Sequence, residues 1–348
     1  MKIKNCLLVA AVMAAAFSLQ PNALAQGSLT PPGAPAPTMK TADQIYAKLE
    51  ARIPVGTNTT PGDASSLFVI TNSGSYYLTT NITGVSGKNG IEIAANDVTL
   101  DLNGFALRGA GTGIVGVDVY NAQTNVVIRN GIITGWQNNS DGAGVQVTSG
   151  YFSDSQNVVC EHLNVYGCDE GIEILIQGTA VVRDCNCDGN LSDGILISSG
   201  IVTGCKAINN QYGIYGYFGL AHISDCYVWN NTKSGIYVYS YGGYEGNTIT
   251  GNTCINNNTD NAGNDANIML FASNSRVENN HIVMGGGHRG IVVDTSAGSG
   301  VKNTIVKNSV TGNIANNYII PGGNAFGPIA NDSTGAITNS SPWANFSF

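Results

Sequence analysis

Three groups of residues in this 348-residue sequence have types and spacing that could do chemistry. The first is acidic: Asp141, Asp169 with Glu170, and Asp193 each stand just ahead of a glycine-led apolar segment. If those segments are strands in successive layers about 4.8 Å apart, neighbouring carboxyls lie about 5 Å apart and alternate ones about 10 Å apart. Such separations suit the paired carboxyls of glycoside hydrolysis. The oxygens of Asp141, Asp169 and Asp193 would equally suit Ca2+, the one cofactor this chain suggests. Asp before Gly is also an ordinary turn dipeptide, and that plain reading stands beside both. The second group is the loop Gly285-Gly-Gly-His288-Arg289-Gly290, where His288 offers a base and Arg289 a charge stabiliser. The third is aromatic: Tyr215, Tyr217, Tyr237, Tyr239 and Tyr241 alternate with the aliphatics Ile214, Ile236 and Val238. An exposed tyrosine face suits sugar rings, with C–H edges against the rings and hydroxyls against the phenols. Glu173 is a further outward candidate for substrate binding, and Asp294 a weaker one.

The elements that must position these groups are written as a repeat. Gly90-Ile-Glu-Ile, Gly144-Val-Gln-Val, Gly171-Ile-Glu-Ile, Gly194-Ile-Leu-Ile, Gly213-Ile-Tyr, Gly235-Ile-Tyr-Val and Gly290-Ile-Val-Val recur, with Asn267-Ile-Met-Leu filling the widest gap. A second apolar series interleaves with them, including Val98-Thr-Leu, Val126-Val-Ile and Val158-Val-Cys. Each unit carries two or more short strands and cannot bury its apolar face alone, so the units must stack. Ile172, Ile174, Ile195, Ile197, Ile214, Ile236 and Val238 are the expected interior columns, and the neighbouring tyrosines the outer wall. Asparagine pairs such as Asn209-Asn210 and Asn230-Asn231 mark corners where amides could bond along the axis.

The expectation is an all-β chain: a single-domain right-handed parallel β-helix, or solenoid, with an N-terminal helical and strand cap and a C-terminal covering tail. Residues 1–25 read as a signal peptide, with Lys2 and Lys4 before an apolar run and Ala23-Leu-Ala25 before the cut. Residues 26–41 read as a flexible linker, 42–89 as the cap, 90–320 as coils and 321–348 as the closing cap. This predicts export to the periplasm or beyond and no membrane span. Seven cysteines follow the leader, and Val182-Arg-Asp-Cys185, Val202-Thr-Gly-Cys205 and Ile223-Ser-Asp-Cys226 repeat one pattern. Stacked interior thiols explain that spacing better than disulfides or zinc. A net charge of −8 argues against nucleic acid as a partner.

The run Gly74-Ser-Tyr-Tyr-Leu-Thr, Gly90-Ile-Glu-Ile and Val98-Thr-Leu-Asp-Leu-Asn-Gly-Phe105 resembles the opening of secreted right-handed β-helix repeat proteins of the pectate-lyase-like superfamily. Phe326-Gly-Pro-Ile and Pro342-Trp-Ala-Asn-Phe resemble their closing segment. The resemblance implies the fold, while the group spans lyases, hydrolases, epimerases and proteins without assigned chemistry. Arg289 stands where a polygalacturonase-like Gly-His-Gly loop has its second glycine, and that family's paired-aspartate motif is missing. The alginate-epimerase and pectate-lyase signatures are missing too. The functional expectation is a secreted protein that binds, and processes if it is an enzyme, a polysaccharide on its aromatic outer face. A lyase or a glycoside hydrolase is the enzyme class to expect. The alternative is a non-catalytic surface or matrix scaffold or adhesin, which would show a flat, bare sheet instead of a walled one.

Overall fold

The computed structural model describes Lys40, Thr41 and residues 52–348 other than 112, 122, 139–141, 149–155, 177–178, 241–244, 261–264, 285–288, 297–299, 313–315 and 332–338. The expected leader, linker and helical cap segment 42–51 lie outside the described residues, apart from Lys40 and Thr41. The unit Ala51–Phe348 carries the whole stack.

That unit is a parallel β-helix. One side is an eleven-stranded sheet running from Ser66–Ile70 through Glu170–Ile174, Asp193–Ile197, Tyr212–Tyr217 and Ile236–Tyr239 to Tyr318–Ile319, paired in parallel throughout. The other strands of each coil join a twenty-two-stranded sheet. Stacking is under way before residue 90, because Ser66–Ile70 and Gly74–Tyr77 already pair with Asn89–Ile93 and Val98–Asp101. The interior columns are as alternation demands: Ile172, Ile174, Ile195, Ile197, Ile214, Ile236 and Val238 are fully buried. Each aliphatic side chain so enclosed contributes about 1.5–3 kcal/mol by leaving water.

The seven described cysteines are free and buried, with Cys185, Cys205 and Cys226 adjoining one another in the interior. Burial raises the thiols of Cys160 and Cys168 to about 12, so they behave as small apolar side chains.

The asparagine pairs do two different jobs. The first member turns the corner in the left-handed region, as at Asn209 (φ 55°), Asn230 (φ 56°) and Asn256 (φ 48°). The second points inward and builds a buried amide ladder, Asn190 to Asn210 to Asn231 to Asn257 to Asn267, each Nδ2 donating to the next Oδ1 over 2.7–3.2 Å. The ladder also explains the motif glycine. A Cβ at Gly194 would meet Asn210 Nδ2 at 2.6 Å, and one at Gly213 would meet Asn231 Nδ2 at 2.8 Å.

The tail extends the stack as well as covering it. Ala325–Phe326 and Asn345–Ser347 pair in parallel with Thr304–Val306 and Ser309–Thr311. Asn345 adds another amide rung, accepting from Asn308 N at 3.0 Å. Non-repeating sequence hid this, because one asparagine and a strand suffice for a rung.

Candidate functional site

The site is built on the outward side of the eleven-stranded sheet. Register sets one column as Glu92, Asp118, Gln146, Glu173, Leu196, Tyr215, Tyr237, Met269 and Val292. A second column aligns Tyr217, Tyr239 and Phe271, and Asp193 is in register with Tyr212 at the strand start. The face therefore grades along the axis from carboxylates to tyrosines to aliphatics.

The tyrosines form one continuous cluster. Ring centroids of Tyr215 and Tyr237 are 4.9 Å apart, Tyr212 stacks on Tyr237 at 5.4 Å, and Tyr217 on Tyr239 at 6.1 Å. Phe271 continues the row, 4.8 Å from Tyr239. Phe218 holds an unfavourable φ of 74° at the edge, with its ring 4.0 Å from Tyr217. These tyrosines are half-buried, while Met269 and Val292 farther along the same outer column are 4% and 5% exposed. Met269, Val292 and Ala266 form a small apolar cluster outside the main core, with Tyr237 packed against it. The Met269–Val292 end of the outer column is thus covered.

Burial pushes the Tyr212 and Tyr215 hydroxyls well above the usual phenol range, aided at Tyr212 by Asp265, Tyr237, Asp193 and Asp260 and at Tyr215 by Tyr237 and Asp193. Tyr237 rises to about 12, again chiefly by burial. All three are neutral donors at ordinary pH.

The acidic residues divide sharply. Asp169 is buried and its Oδ2 accepts the backbone N–H of Asn138 at 2.7 Å and of Gly142 at 3.0 Å, stapling a neighbouring turn. Glu173 accepts from Gln146 Nε2 at 2.7 Å within the outer column. Glu170 accepts the Asp193 backbone N–H at 2.9 Å, and its carboxyl is close enough for its charge to act on the Asp193 carboxyl at the border of the tyrosine cluster. Asp193 is 4% exposed, and its Oδ1 has no hydrogen-bond partner. Burial lifts Glu170 to about 7, and burial followed by the charges of Glu170 and Glu173 lifts Asp193 well above the usual carboxylate range. A proton held on this pair is the chemistry available here. Asp118 is likewise raised to about 7, by burial and then by Glu92 and Glu173.

The structure brings together Glu170, Asp193, Tyr215, Tyr217, Tyr237 and Tyr239, with Glu173 on the same face. Asp141, Tyr241 and His288 lie outside the described residues. Arg289 stands farther along the stack, its carbonyl accepting from Asn267 N at 2.9 Å and Nδ2 at 3.2 Å. Among the described residues no three His, Cys, Asp or Glu are grouped to hold a metal ion. Tyr227 and Trp229, close in sequence to the tyrosine cluster, belong to the long sheet. Tyr212 joins the cluster, stacked on Tyr237 and in register with Asp193. Lys233, Asp260 and Asp265 near Tyr212 gave no signal, since loops of unequal length carry them.

Residues 89–254 match the model of the family described as "Right handed beta helix region". Among solved structures, the Dettilon tailspike protein is similar with a TM-score of 0.58 and 17% identity, over 89% of this chain and 70% of that one. The A-module of the mannuronan C-5 epimerase AlgE4 from Azotobacter vinelandii gives 0.44 and 13%, over 70% of this chain and 80% of that one. DFA-IIIase from Arthrobacter chlorophenolicus A6, without its lid, gives 0.40 and 14%, over 78% and 68%. No curated protein matches the sequence. Among the described residues no helix is long and apolar enough to cross a membrane. The stacked parallel coils, the family match over residues 89–254 and the tailspike likeness together identify the fold as a right-handed parallel β-helix.

Proposed function

We propose that this chain is an exported protein that binds a carbohydrate on its tyrosine-faced sheet. One observation carries the reading: Tyr212, Tyr215, Tyr237, Tyr217, Tyr239 and Phe271 form an unbroken, half-buried aromatic row on the outer wall. Such rings present apolar faces to sugar C–H groups, and the neutral phenols donate to sugar oxygens. The likeness to a tailspike supports only the fold.

Titration calorimetry against neutral, uronic and amino polysaccharides tests it. At least one class should bind, and the Tyr215→Ala, Tyr237→Ala double variant should lose at least about tenfold in affinity, or about 1.4 kcal/mol, while still folding. No binding by any class sinks the reading and leaves the scaffold alternative. Undiminished affinity in the double variant means the site is elsewhere.

A catalytic reading is favoured by the Glu170–Asp193 pair. A buried carboxyl with an unpartnered oxygen and a raised pKa, beside a second carboxyl, is a general acid in waiting. New reducing or unsaturated ends from a bound glycan, abolished in Asp193→Asn and Glu170→Gln, are the expected products. Their absence with the wild-type protein removes catalysis and leaves binding intact.

A further inference from the structure

We propose that the carbohydrate bound at the tyrosine face carries ammonium groups, an amino-sugar polymer seated with one amine on the ring of Tyr212. This rests on the carbohydrate reading and names its substrate class.

The seat already holds a cation. Lys233 Nζ lies 5.1 Å from the centroid of the Tyr212 ring, a cation–π position. The same ring stacks on Tyr237, so the cation stands over the end of the aromatic row. The surroundings are acidic. Asp265, Asp193 and Asp260 lie close enough to oppose ionisation of Tyr212, and Asp265 and Asp294 do the same at Tyr237. Asp265 is fixed by the Ser234 hydroxyl, which donates to its Oδ1 at 2.7 Å. Glu170 and Glu173 border the row on the side of the preceding coils. Lys233 is a basic side chain close enough to these carboxyls to act on Asp193.

Asp193 supplies the independent sign of a ligand. It is 4% exposed, it is in register with Tyr212, and its Oδ1 lacks a partner. A buried carboxyl oxygen left without a donor is costly, and an ammonium on the neighbouring ring relieves it by donating to it and by favouring loss of the proton that the Glu170–Asp193 pair otherwise holds. Lys233 supplies that charge from a flexible stem. An ammonium fixed to a sugar ring supplies it with less ordering cost while its pyranose covers Tyr215 and Tyr237. A polyuronate would meet like charge here, and the chain as a whole carries −8.

The test uses glucosamine oligomers, their N-acetylated counterparts and oligogalacturonate of equal length, titrated into the full chain at a pH where the sugar amine is protonated. The amino oligomer should bind at least about tenfold tighter than the acetylated one at low salt, and that margin should shrink as salt screens it. Oligogalacturonate should bind most weakly. Lys233→Ala should raise affinity for the amino oligomer, because the competing cation is gone, and Asp193→Asn should narrow the margin. Equal or tighter binding of the acetylated oligomer to the wild-type chain overturns the proposal and leaves carbohydrate binding standing. Binding of none of the three overturns it together with the aromatic-face reading for these glycans. The wild-type comparison decides even if Asp193→Asn does not fold.

Discussion

Two outward columns of the same coils show opposite electrostatic designs. On the long sheet, register aligns Asp101, Arg129, Glu161 and Arg183, alternating in sign. Arg52 reaches Asp101 at 3.0 Å, Arg129 lies 3.4 Å from Asp101 and 3.8 Å from Glu161, and Arg183 Nε donates to Glu161 at 2.7 Å. On the eleven-stranded sheet, Glu92, Asp118 and Glu173 face the same way with only Gln146 between the last two. One column pairs its charges, and the other accumulates like charges, which with burial raise the pKa of Asp118. Stability alone accounts for the first. The second costs stability, which is the usual mark of a surface kept for a ligand.

Acid should separate the two columns most strongly. Asp118 sits at about 7 in the folded chain against 3.8 for the free side chain. Its folded-state pKa is raised, so the penalty of burying its charge is full above pH 7 and is relieved as pH falls from about 7 toward 4. Glu170 acts in the same sense. Glu278 on the long sheet is lowered by its hydrogen bonds from Arg276 and Lys307, so its contribution is present above pH 4.5 and lost only below that. Between pH 8 and pH 5 the aromatic-face sheet should therefore gain stability while the long sheet is unmoved. Asp118→Asn should raise stability by roughly 2–4 kcal/mol at pH 8, one pKa unit being about 1.4 kcal/mol, and by little at pH 4. Urea unfolding across that range checks it, and a variant no more stable than wild type at pH 8 would mean the charge is well solvated.

Next in size is Glu161→Ala. Glu161 is buried between two arginines whose side chains are 38% and 50% exposed. Removing it leaves both arginines free to reach water, so the loss should be about 1–2 kcal/mol, below that for a fully buried pair. Glycan affinity should not change, because the column lies on another sheet. A variant that binds more weakly would break the separation of the two faces.

How much of this was readable from sequence follows from what each level needs. The coil interior was readable because alternation forces it: Ile214 must face in once Tyr215 faces out, and both do as expected. The tyrosine row was readable for the same reason. The role of Asp169 was not, because binding a turn and binding a ligand ask for the same Asp–Gly dipeptide, and only the N–H groups of Asn138 and Gly142 distinguish them. Tyr227 and Trp229 lie near the cluster in sequence yet on the other sheet, because nearness in sequence says nothing about which side of a coil a strand occupies. The Lys233 ammonium over Tyr212 depends on loop geometry with no repeat to announce it.

The smallest effect sharpens the comparison at its weak end. Lys307 Nζ lies 2.8 Å from Glu278 Oε1 and 4.8 Å from the centroid of the half-exposed Trp343 ring. Arg276 also donates to Glu278, so Glu278 keeps a partner when Lys307 is removed. An exposed pair of this kind is worth about 0.5 kcal/mol and is screened by salt. Lys307→Ala should thus cost at most about that at low salt, with most of the loss gone at high ionic strength. A larger, salt-independent loss would place the lysine stem's packing on Trp343, and not its charge, as the contact that holds the last coils together.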